Sequence, residues 1–80
     1  MATGTIRYWA AARAAAGTSE ESCEGDTLGA ALDRARAERG PEFARVLAHS
    51  SFLIDGVRAR ADTPLAENAV IEVLPPFAGG

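Results

Sequence analysis

The residues best suited to chemistry stand at the end of the chain, in Val-Leu-Pro-Pro-Phe-Ala-Gly-Gly (73–80). Gly79 and Gly80 bring no side chain, so the reactive group there is the carboxylate of Gly80 itself. A terminal carboxylate has a pKa of about 3.3–3.7 and is inert as an electrophile at pH 7. Conversion by ATP to an acyl-adenylate would supply a leaving group, which a sulfur donor could then displace. A terminus with no Cβ at its last two positions is thin enough to thread a tunnel in a partner. Pro75-Pro76 cannot continue a strand's hydrogen-bond ladder and favours a stiff, extended exit. Phe77 sets a large ring beside Leu74, which suggests a docking strip, and Ala78 begins the taper towards Gly80. A frayed terminus with no role would not need this order.

Other reactive side chains are few. His49 is the only histidine, and it falls between a helix turn and a strand, where an ordinary surface role is expected. Cys23 is the only cysteine; a reactive thiol needs an electropositive setting, and Glu21 and Glu24 should instead raise its pKa. Glu20, Glu21 and Glu24 suit an exposed strand edge better than paired acid–base catalysis. The chain has no Gly-x-Ser-x-Gly, no phosphate loop, no His-Glu-x-x-His and no Gly-x-Gly-x-x-Gly.

The elements that must position the tail fit in one small domain, because the chain has 80 residues. A single cysteine excludes an intramolecular disulfide, and no Cys/His cluster offers a zinc site. No stretch approaches 18 apolar residues and the start lacks a secretory pattern, so a cytoplasmic protein that avoids membranes is expected. The formal charge of −3 argues against nucleic acid as a partner. All eight basic residues are arginine, so the chain offers no lysine for conjugation to its own copies.

Residues 4–9 alternate, with Ile6 and Tyr8 on one face and Thr5, Arg7 and Trp9 on the other, which predicts a strand. Residues 10–17 predict a helix of one to two turns ending at Gly17. Residues 18–25 predict an acidic edge strand returning beside the first. The clearest helix starts at Asp26 or Thr27, with Leu28, Ala31, Leu32 and Ala35 on one face and Gly40-Pro41 as its stop. Arg34, Arg36, Glu38 and Arg39 are expected on its solvated surface. Residues 41–49 predict a short helical turn with Phe43, Val46 and Leu47 inward. Residues 51–59 predict a hairpin turning at Asp55-Gly56. An irregular stretch anchored by Leu65 leads to the last strand, 69–74, with Ile71 and Val73 on one face and Val70, Glu72 and Leu74 on the other. The fold class is α+β, a mixed sheet of four to five strands with one main helix across it. The expected division is a folded domain over 1–74 and a flexible C-terminal tail over 75–80.

The ending VLPPFAGG, with IRYWAAARAAAG, GDTLGAAL and LIDGVRA before it, resembles the MoaD/ThiS sulfur-carrier family, and within it the MoaD branch, small subunits of molybdopterin synthase. The likeness spans essentially the whole chain. Its short helix after the first strand is a feature that ThiS-type carriers usually lack. One departure is Asn68-Ala69, where the family usually has Gly-Asp before the last strand; Asn also tolerates a left-handed backbone. The resemblance implies a ubiquitin-like β-grasp fold. It implies that an adenylating enzyme of the MoeB type activates Gly80 with ATP, that a sulfur donor protein converts it to a thiocarboxylate, and that the tail enters a catalytic subunit of the MoaE type. The chain would bind no cofactor itself and would catalyse only within that complex. Gly80 would carry sulfur, Gly79 would keep the approach narrow, and Leu74, Pro75, Pro76, Phe77 and Ala78 would meet the partner. The rival readings are a carrier for thiazole or cysteine biosynthesis, a ubiquitin-like protein modifier, and a plain interaction module.

Overall fold

The computed structural model describes residues 1–76. Eight elements follow one another: β1 (Ala2–Tyr8), α1 (Ala10–Ala16), β2 (Glu20–Gly25), α2 (Leu28–Ala37), α3 (Pro41–Ala48), β3 (Ser51–Ile54), β4 (Val57–Arg58) and β5 (Ala69–Leu74). The strands form one sheet in the order β2-β1-β5-β3-β4. β1 and β5 are parallel, and every other neighbouring pair is antiparallel. The two central strands are thus the first and the last of the chain.

Local chemistry explains most boundaries. β1 stops at Tyr8, because Trp9 becomes the extended residue that caps α1. Gly17 closes α1 in the left-handed conformation, its N–H donating to the Arg13 carbonyl at 3.0 Å. The hydroxyl of Thr27 accepts from the Ala30 amide at 3.2 Å and opens α2. The loop after β4 supplies further caps that local pattern does not reveal. The carbonyls of Thr63 and Ala61 accept from the amides of Leu28 and Gly29 at 2.9 and 2.8 Å.

α2 ends earlier than its sequence suggests. The amides of Glu38 and Arg39 turn to carbonyls three residues back, at 3.3 and 3.1 Å, which tightens and closes the helix. Gly40-Pro41 therefore begins α3 instead of stopping α2: Gly40 is the extended cap and Pro41 stands in the first turn, where its missing N–H costs nothing. The predicted short turn is a helix of eight residues. Phe43 and Leu47 are buried in it, while Val46 is only half-buried. The predicted hairpin turn forms at Asp55 (φ 50°) and Gly56 (φ 82°), the paired positive angles of a tight two-residue connection.

The period-two pattern of the central strands is realised as expected. Ile6 and Tyr8 of β1 and Ala69, Ile71 and Val73 of β5 are buried on one face of the sheet. Ile6, Tyr8, Ile71 and Val73 meet Ala12 of α1, Leu28, Ala31, Leu32 and Ala35 of α2, and Phe43 and Leu47 of α3. Leu65 packs against this cluster from the loop, as expected. Gly4 of β1 lies opposite Ala69 of β5, and a Cβ there would collide with the Ala69 carbonyl. Asn68 adopts φ 66°, so the turn before β5 keeps its left-handed residue without glycine. Its amide donates to the Thr3 carbonyl at 2.7 Å, and Glu67 accepts from the amide of Thr3 at 2.6 Å.

Candidate functional site: the end of the sheet where the last strand leaves

β5 delivers the chain to one end of the sheet. Leu74 is its last residue, paired with Ser51 of β3 and half-buried on the face opposite Ile71 and Val73, as its alternation predicts. Pro75 is buried and Pro76 is exposed, so the chain emerges from the packed body between the two prolines. Phe77, Ala78, Gly79 and Gly80 lie outside the described residues.

β1 reaches the same end, because it runs parallel to β5. The Trp9 amide donates to the Val73 carbonyl at 3.3 Å and carries the pairing to the residue before Leu74. Trp9 is 45% exposed, and the Arg7 guanidinium stands over its ring at 5.8 Å from the centre. The next residue, Ala10, has φ 49°, a left-handed backbone that costs an L-residue about 1–2 kcal/mol. That turn swings α1 onto the inner face, leaving the ring in solvent beside the exit.

The sheet face opposite the helices has its own pattern. The register aligns Glu20, Arg7, Glu72, Leu53 and Arg58 in one row across all five strands. Arg7 pairs with Glu20 at 3.7 Å, both well exposed, a contact worth less than about 1 kcal/mol. Val70, Leu74 and Leu53 are half-buried on this face. Trp9, Arg7 and Leu53 are candidate site residues that the tail motif does not reveal. Strand alternation already turns Arg7 and Trp9 away from Ile6, but only the cross-strand register brings them beside Leu74.

The reactive side chains considered from sequence are placed elsewhere. His49 caps α3 with Nδ1 at 3.0 Å from the Arg45 carbonyl. Cys23 is half-buried on β2; burial raises its thiol pKa, a backbone hydrogen bond at Gly4 partly offsets this, and Glu21 adds to the rise. Burial is thus the first cause, and Glu24 has no part in it. Glu20 and Glu24 are exposed on the edge strand, as expected, but Glu21 is not. Its carboxylate accepts from the Tyr8 hydroxyl and from Arg39 at 2.9 Å. This corrects the reading of Arg39 as a solvated surface residue. Its guanidinium lies 4.9 Å from the centre of the Phe43 ring and donates to the Ala16 carbonyl at 3.3 Å. The early end of α2 lets Arg39 fold inward and tie together α1, α3 and β2. Burial opposes the charge of Glu21, yet hydrogen bonds from Arg39 and Tyr8 hold its carboxyl below the usual range. Burial, and then the bond to Glu21, raise the phenol of Tyr8. Among the described residues no group of His, Cys, Asp or Glu is placed to hold a metal, and no helix is long and apolar enough to cross a membrane.

This arrangement has well-matched structural relatives. The solution structure of the small archaeal modifier protein 1 from Methanosarcina acetivorans superposes with a TM-score of 0.88 at 26% identity, covering 100% of this chain and 98% of that one. The crystal structure of small archaeal modifier protein 1 from Haloferax volcanii gives 0.82 at 25% identity, covering 98% and 99%. A putative molybdopterin converting factor, subunit 1, from Pyrococcus furiosus gives 0.81 at 22% identity, covering 96% and 100%, a likeness of fold. The fold is the ubiquitin-like β-grasp. No curated protein matches the chain. The model of the ThiS family matches residues 6–80, from the core of β1 through the two terminal glycines, and the chain belongs to that family.

Proposed function

We propose that this chain is a sulfur carrier whose Gly80 carboxylate is adenylated and converted to a thiocarboxylate, and that it serves molybdopterin synthesis as the small subunit of the synthase. The observation that carries this reading is the way β5 ends: a central strand, a buried Pro75, an exposed Pro76 and a Gly-Gly end inside the family match. A central strand is held on both sides, so the exit point is fixed relative to the outer face. That face and Trp9 meet the partner, while the terminal segment reaches its active centre.

The chemistry divides between proteins. An adenylating enzyme of the MoeB type joins the Gly80 carboxylate to AMP and releases pyrophosphate. A persulfide or sulfide supplied by a sulfur donor protein attacks the acyl carbon, and AMP leaves; a persulfide adduct needs reduction to free the thiocarboxylate. A catalytic subunit of the MoaE type then accepts the tail and brings its sulfur to the pterin precursor. Gly79 keeps the approach thin, and Pro75, Pro76, Phe77 and Ala78 set its path. The molybdopterin assignment draws support from α1, a short helix between the first two strands that ThiS-type carriers usually lack.

A second reading has its own observation. The small archaeal modifier proteins match at TM-scores of 0.88 and 0.82 with 26% and 25% identity. In that reading the activated carboxyl is passed to lysines of other proteins. Both readings share adenylation of Gly80 and part afterwards. Reconstitution with the adenylating enzyme, ATP and a sulfur source is expected to shift the intact mass by one oxygen-to-sulfur exchange, located on Gly80. An unchanged terminus, or sulfur on Cys23, would remove the carrier reading; ladders of tagged conjugates on other proteins would favour the modifier.

A further inference from the structure

Charge is distributed unevenly along the sheet. Five of the eight arginines stand within 4 Å of a carboxylate: Arg7, Arg34, Arg36, Arg39 and Arg45. Among the described residues Arg13, Arg58 and Arg60 have no such partner, and two of these three share one place. Arg58 and Arg60, with Ser50, Ser51, Phe52 and Ala59, line an open groove of about 450 Å³ at the β3–β4 edge. Ser51 is the residue paired with Leu74, so the groove begins beside the point where the chain leaves the sheet. Phe52 gives it an apolar wall, and the two arginines and the Ser51 hydroxyl give it donors, the Ser50 hydroxyl already donating to the Val46 carbonyl at 2.7 Å.

We propose that this groove is a second docking point beside the tail exit, where Arg58 and Arg60 receive aspartate or glutamate carboxylates of an acidic segment on the adenylating partner. The proposal rests on the reading of the chain as a carrier. Its chemistry follows from the page: Arg58 and Arg60 stand together beside the exit with no carboxylate of the described residues within 4 Å, and a guanidinium fork matches a carboxylate with two parallel hydrogen bonds. A second copy of this chain is a poorer occupant. Its acidic edge, β2, has six residues, whereas β4 offers only two for strand pairing. Glu20 and Glu24 on that edge are moreover already engaged by Arg7 and Arg34. Charges at the rim of an interface act mainly on encounter and on salt dependence. The groove therefore sets how readily the partner is met, leaving the chemical step at Gly80 untouched.

The test compares the wild type, the double variant Arg58→Glu/Arg60→Glu, and Arg45→Glu as a control that reverses one charge away from the groove. The wild type is first shown to gain sulfur at Gly80, which tests the carrier reading by itself. For the double variant, KM for the carrier in the adenylation reaction should rise about tenfold with kcat held, and the salt dependence of kcat/KM should flatten. Arg45→Glu should change KM less than about twofold. In spectra of the labelled wild type, amide signals of residues 50–60 should broaden when the adenylating enzyme is added. Unchanged KM and salt slope in the double variant would overturn the proposal. So would a loss confined to binding of inorganic phosphate, or wild-type self-association that the double variant abolishes. Circular dichroism of each variant separates these outcomes from misfolding.

Discussion

The two faces of the sheet are built from alternate residues of the same strands, yet they have opposite tasks. On one, Ile6, Tyr8, Ile71 and Val73 are 0–2% exposed and sealed by three helices. On the other, Glu20, Arg7, Glu72, Leu53 and Arg58 form a row with weak internal pairing, and half-buried Val70 and Leu74 lie beside it. The inner face holds the domain together. The outer face contributes little to stability, which leaves it able to specify a partner. In so small a protein the separation matters, because net stability is only about 0.05–0.15 kcal/mol per residue. Binding residues drawn from the core would put folding at risk.

The sharpest break of this comparison is deletion of Gly80. Sulfur transfer should vanish in the mass assay while the melting temperature stays unchanged; a truncated chain that melts earlier would show the terminal segment to be part of the body. On the inner face, Phe43→Ala should cost about 3–5 kcal/mol in urea unfolding, since the ring is buried and meets Tyr8 edge-on at 5.5 Å. Arg39→Met should cost about 1–3 kcal/mol. That is less than breaking a fully buried pair, because the side chains of Arg39 and Glu21 keep 17% and 24% exposure.

The same pair gives a signed pH effect. The folded-state pKa of Glu21 is lowered, so its contribution is complete above the ordinary glutamate value near 4.3 and fades as the pH falls below it. Glu21→Gln should flatten the acid limb of a stability–pH curve; an unaltered limb would mean that other carboxylates govern acid unfolding. Thr27→Ala should remove about 1 kcal/mol through the lost cap. Smallest of all, Arg7→Gln on the outer face should shift stability by less than about 0.5 kcal/mol. A cost above 2 kcal/mol there would end the claim that this face is free of structural duty.

Much of the body was legible because its signals are local. The alternation in β1 and β5 gave the inner face, the Leu28–Ala35 spacing gave α2, and Asp55-Gly56 gave the hairpin. Contacts distant in sequence were not legible. Arg39 looked solvated because its helix was expected to run to Gly40; once the helix ends at Ala37, the side chain is free to reach Glu21 and Phe43. Trp9 looks like one more strand residue, and its place beside Leu74 depends on a parallel pairing of residues 65 apart in the chain. The Gly-Gly end is read as chemistry from its missing side chains alone, and it lies outside the described residues.

Parallel pairing of β1 with β5 has a consequence for synthesis. The sheet's middle strand is the last to be translated, so a nascent chain truncated before residue 69 has strands on both flanks and nothing to join them. Completion of the body and arrival of Gly79 and Gly80 fall within a dozen residues of each other. A ribosome that stalls early therefore releases two unjoined flanks in place of a finished scaffold.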